Sequence, residues 1–182
     1  MLFSQEKIIA EMTDSQKIEI YEDGILVKKF MWDEAKEKYQ DADAVFEFGF
    51  TETKEKYWFY SSVPGKIIYI ACMDLKNKEV VYFDPPELYF ENDFAFNPEE
   101  GILIYSDWRE PSDSEEKSEM EKSPVELHCY SLYDSEEKII GRQTGRKFSP
   151  RLMDGKIICT VNGEEKTVRE NPRSITCSPD GE

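Results

Sequence analysis

At 182 residues, with 13% aromatic and 34% charged side chains, the chain is long enough for a sizeable core and too rich in Phe, Tyr and Trp for a disordered polymer. Its net charge of -16 is carried by residues 1–141, which hold 15 Lys and Arg against 33 Asp and Glu, whereas residues 142–182 hold 8 against 6. Such a body repels nucleic-acid phosphates, and no run approaches the ~18 apolar residues of a membrane-spanning helix, so neither nucleic acid nor membrane is an expected partner.

The chain begins Met1-Leu2-Phe3-Ser4-Gln5-Glu6, without the charged segment and apolar stretch of a secretory signal, and a cytoplasmic location is expected, an exported form with a trimmed signal being the alternative. Residues 17–21 alternate polar and apolar, Glu22-Asp23-Gly24 supplies turn chemistry, and residues 25–30 run back, which predicts a β-hairpin. The period then changes. Residues 32–40 are rich in helix formers, with acidic residues in the first turn and Glu34 four residues before Lys38, and predict one short helix. Hairpin and helix together define an N-terminal segment, residues 1–43.

From residue 44 onward the pattern is that of strands. Residues 45–50 alternate; residues 56–60 and 66–73 are apolar runs separated by Pro64-Gly65; residues 79–83 close a hairpin after Lys76-Asn77. A second set follows at 93–96, 101–105, 125–133 and 137–140. Between its second and third members, residues 109–124 form a Ser-, Glu- and Lys-rich tract without apolar periodicity, expected to be a mobile acidic loop. Gly141-Arg142-Gln143-Thr144-Gly145-Arg146 is glycine-rich and basic, lacks the Lys-Ser/Thr of a phosphate loop, and is expected to turn one strand into the next. The fold class is therefore mainly β, with antiparallel four-stranded, blade-like sheets in a partial propeller or a sandwich and one N-terminal helix; residues 44–182 form the β-rich domain.

Three stretches share a strand, a Pro turn, a releasing Gly and a second strand: Phe94-Ala95-Phe96-Asn97-Pro98 up to Gly101, Phe148-Ser149-Pro150 up to Gly155, and Ile175-Thr176-Cys177-Ser178-Pro179-Asp180-Gly181. This pattern resembles the blades of TolB-type and WD-repeat-like β-propellers over about residues 45–182. The resemblance implies sheet architecture and a binding surface. Turn chemistry so close to the last residue leaves three readings open: a longer propeller, a terminal strand completed by a second copy in a homodimer, or a sandwich whose last strand is residues 174–177.

His128 is the only histidine, and alternation within residues 125–133 places it on the face of Glu126 and Tyr130, opposite Leu127 and Cys129. No Ser-His-Asp or Cys-His arrangement is evident, so no catalytic residue is assigned. Cys72, Cys129, Cys159 and Cys177 have no paired C-x-x-C spacing, and the carboxylate runs match no D-x-D-x-D-G calcium loop; buried free thiols, no metal and no cofactor are expected. Aromatic residues beside acidic ones suit a protein interface, and Tyr57, Trp58, Tyr60, Tyr89 and Trp108 are the candidate binding residues. The functional expectation is a non-enzymatic acidic module that binds another protein with a basic surface, in the manner of an immunity or inhibitor protein. The alternative is a fragment of a β-propeller enzyme or carbohydrate-binding protein.

Overall fold

The computed structural model describes residues 8–14, 17–31, 38–39, 44–89, 93–108 and 122–168. The helix expected at 32–40 falls outside these residues apart from Lys38 and Tyr39, as do most of the acidic loop and the whole third Pro-Gly stretch with Cys177. What is described is mainly β and antiparallel, as the alternation predicts. The chain divides into two compact units, Met1–Leu88 and Tyr89–Glu182.

The first unit opens with a three-stranded meander, β1 (Ile8–Asp14), β2 (Lys17–Glu22) and β3 (Ile25–Met31). Strand β1 has no counterpart in the sequence reading. The β2–β3 turn is the one expected: Asp23 and Gly24 both take positive φ, 50° and 80°, the handedness that a two-residue hairpin needs to match strand twist. Ile18 and Phe30 face each other across this hairpin and are both fully buried.

The next sheet runs β4 (Ala44–Phe50), β5 (Lys56–Val63), β6 (Lys66–Asp74) and β7 (Val80–Phe83) in sequence order, with β8 (Leu88–Tyr89) paired to β6. A bulge at Phe48 shifts the β4–β5 register, and Gly49 absorbs it at φ 108°, a conformation that side chains rarely adopt. Val45, Tyr57, Phe59, Tyr69, Ala71 and Met73 form one buried cluster with Ile18, Ile20 and Phe30, so the N-terminal meander and this sheet share a core.

The second unit repeats the meander: β9 (Phe94–Asn97), β10 (Ile102–Ser106), β11 (Pro124–Ser131) and β12 (Glu136–Thr144) lie side by side in chain order. The Asn97-to-Gly101 turn follows the expected pattern. The 141–146 stretch departs from it, because Gly141 to Thr144 continue β12 opposite Pro124 to Leu127 and the chain turns only at Gly145, φ 64°. A three-stranded sheet follows, β13 (Arg151–Met153), β14 (Lys156–Val161) and β15 (Glu164–Thr167). Its hairpin turns use Asp154-Gly155 and Asn162-Gly163, all at positive φ; Pro150 precedes the first strand and takes no part in the turn. Ile102, Ile104, Val125, Leu127, Cys129, Ile140, Phe148, Ile157 and Cys159 make the second core.

Candidate functional site

Strict alternation along β11 sorts its side chains by chemistry. Val125, Leu127 and Cys129 enter the second core, while Glu126, His128 and Tyr130 lie half-buried on the other face, as the sequence pattern predicts. Because Cys129 points to the opposite face from the imidazole, the two do not form a nucleophile–base pair. A bulge between Leu127 and His128 shifts the register against β12.

His128 sits among groups drawn from three strands. Tyr105 of β10 pairs with it in register and stacks on it, ring centroids 4.9 Å apart and planes 12° from parallel. Its two nitrogens face different carboxylates: Nδ1 lies 3.1 Å from Glu137 Oε1, and Nε2 lies 3.7 Å from Glu126 Oε2. Nδ1 is buried and makes no aligned hydrogen bond, so the Glu137 contact is close but off the donor axis. The Tyr105 hydroxyl donates to that same Glu137 oxygen. Burial first, and then the Glu137 bond and charge, push the Tyr105 hydroxyl far above its usual range, which keeps it a donor.

The carboxylates are themselves held. Arg142 Nε donates to Glu126 Oε1 at 2.7 Å, and the Glu126 amide donates to Asp107 Oδ1 at 2.7 Å. Asp107 follows the last residue of β10, and its own amide donates to the Glu126 carbonyl at 3.1 Å, so the β10–β11 ladder continues as far as this pair. As a result Asp107, Glu126 and His128 each present one ligand-type atom within 4.8 Å of the others. The sequence made the Glu126–His128 pairing legible through their spacing of two. Asp107, Tyr105, Glu137 and Arg142 carry no local signal and arrive by strand pairing.

The aromatic residues expected to bind a partner fare differently. Tyr57 and Trp58 have no exposed surface: β5 is an inner strand, with Tyr57 in the first core and Trp58 stacked on Phe83 at 5.7 Å. Tyr60 is half-buried against Phe46 and Phe48, with centroids 5.2 and 4.7 Å away. Tyr89 is half-buried in β8, and Trp108 packs on the second core. None of the five belongs to the His128 group. Cys72, Cys129 and Cys159 are free and buried, and desolvation pushes the thiols of Cys72 and Cys129 up to about 11. No helix among the described residues is long and apolar enough to cross a membrane.

No family model matches the chain, and no curated protein matches it. Among solved structures it is similar to the crystal structure of TolB from Acinetobacter baumannii, at 12% identity and a TM-score of 0.43, over 84% of this chain and 37% of that one.

Proposed function

We propose that this protein is a non-enzymatic binding module that engages another protein with a basic surface, and that the contact is made by the acidic end of its second four-stranded sheet. The observation that carries this reading is a matter of register. Asn97 faces Ile102, Ile102 faces Ser131 and Ser131 faces Glu136, so the β9–β10 and β11–β12 turns emerge at the same end. The Leu132 amide donates to the Gly101 carbonyl at 3.0 Å and ties the two turns together.

This end carries Glu99, Glu100, Asp134 and Glu136, all exposed, with Tyr133 among them at 51% exposure. Lys138 is a nearby cation, 3.8 Å from Glu136 with both side chains largely in solvent, a spacing that contributes little pairing energy. Clustered like charges raise the local potential and speed encounter with a cationic surface, and an exposed tyrosine offers apolar area with a polar tip. The aromatic contribution thus moves from Tyr57 and Trp58 to Tyr133. The buried free thiols support a reducing, cytoplasmic setting.

The test is interaction capture followed by measurement. Cationic peptides selected against the immobilised protein are expected to bind less tightly as salt rises, and an E99Q/E100Q/D134N/E136Q variant is expected to lose most of that binding while keeping its circular dichroism spectrum. Binding that ignores both salt and the four substitutions would overturn the reading.

A further inference from the structure

The geometry points to a binding site for one divalent first-row transition-metal ion, such as Zn²⁺, formed by His128 Nε2 and the carboxylates of Glu126 and Asp107. Donor atoms around a tetrahedral ion ~2.0–2.2 Å away stand about 3.3–3.6 Å apart. Nε2 and Glu126 Oε2 are already 3.7 Å apart, and one ligand-type atom from each of the three residues lies within 4.8 Å of the others. Asp107 is the exposed member of the three, and the other two are half-buried. One imidazole with two carboxylates is a donor set suited to zinc and its first-row neighbours, whereas calcium and magnesium take oxygen alone.

A second feature separates this group from a chance meeting of surface acids. Each member has a polar neighbour of its own. Arg142 holds Glu126 by Oε1, the Glu126 amide holds Asp107 by Oδ1, and Glu137 stands 3.1 Å from Nδ1 of His128. A carboxylate close to the far nitrogen of a ligating imidazole is a recurring outer neighbour of metal sites. Tyr105 stacks on the ring and donates to Glu137, which holds that carboxylate in place. The charges agree: the carboxylates of Asp107, Glu126 and Glu137 against the guanidinium of Arg142 leave a local balance that a dication neutralises. Three protein ligands leave a fourth position for water or for a donor from a bound partner.

The experiment is isothermal titration of metal-stripped full-length protein with ZnCl₂, in the presence of excess Mg²⁺ to occupy oxygen-only sites. One ion per chain is expected. H128Q and D107N are expected to abolish that stoichiometric binding, and E137Q, which leaves all three ligands in place, to weaken it by about 10-fold or more. Titration with Co²⁺ gives an independent readout, visible absorption bands that appear in the wild-type protein and are lost in H128Q. E99Q/E100Q, at the acidic end of the sheet, is expected to leave zinc binding unchanged, so this site and the partner-binding reading fail separately. Absence of binding, or binding whose stoichiometry survives both H128Q and D107N, would overturn the site. Circular dichroism of each variant separates loss of ligand from loss of fold.

Discussion

Strands β5 and β11 occupy equivalent places, each an inner strand of an antiparallel meander, and they have been put to opposite uses. Strand β5 spends both faces on burial: Tyr57 and Phe59 enter the first core while Trp58 is enclosed on the other side. Strand β11 spends one face on burial and keeps Glu126 and His128 on the other, where neighbouring strands add Tyr105, Glu137 and Arg142. The same topology thus serves as scaffold in one unit and as a presenting surface in the other. The difference lies in whether alternation in the sequence runs aromatic–aromatic or apolar–ionisable.

That contrast is open to direct attack by truncation. Trp58→Ala is expected to cost ~3–5 kcal/mol in the first unit, measured by chemical denaturation, since it empties a fully enclosed site. On β11 the two faces should separate sharply: Leu127→Ala is expected to cost ~2–5 kcal/mol, whereas its neighbour His128→Ala, on the polar face, costs less than about 1.5 kcal/mol. Equal losses at 127 and 128 would mean that the polar face is structural, and the scaffold-versus-surface contrast would collapse.

A smaller effect comes from the bulge that sets the β4–β5 register. Gly49→Ala forces a side chain into φ 108° and is expected to destabilise by ~1–3 kcal/mol, although nothing lies within 4 Å of the added carbon. The penalty is backbone strain alone, so a larger residue there should cost little more. Thiol reactivity gives a further comparison between the sheets, since Cys72 and Cys129 belong to different units and share the same burial-driven shift. With a pKa of about 11, about one thiol in a thousand is ionised at pH 8, so alkylation of both is expected to be slow until the protein is unfolded. Fast labelling of one alone would locate the less stable unit.

The smallest expected effect is a surface one. Tyr39 and Lys38 donate to Asp84 at 2.5 and 2.9 Å, and these bonds, Tyr39's first, hold its carboxyl below the usual range. A depressed carboxylate pKa contributes stability above the unfolded value and loses it as pH falls through the folded one. Because Asp84 is largely in solvent, Asp84→Asn is expected to cost ~0–1 kcal/mol at neutral pH, and the difference from wild type should vanish in acid.

Much of the secondary structure was legible because its signals are local. Turn dipeptides such as Asp23-Gly24 and Pro64-Gly65, and alternation in residues 45–50 and 125–131, are properties of neighbouring residues, and the strands appear where they point. Strand β1 and the short strands β13 and β15 were not; every residue of β13 and β15 is exposed, and they carry no apolar period to read. The site was half legible. Alternation set His128 beside Glu126 and opposite Cys129, a consequence of the two-residue period.

What the sequence determined by itself, then, is composition, charge layout, turn positions and the face on which each strand residue stands, because all of these are fixed within a few bonds. Tertiary structure decided the rest. Whether Tyr57 and Trp58 are surface or interior depends on what covers each face of β5, and the meeting of Asp107 with Glu126 and His128 depends on the register between β10 and β11. Those are contacts between residues distant along the chain, set by hydrophobic burial and ladder hydrogen bonds, and no local pattern encodes them.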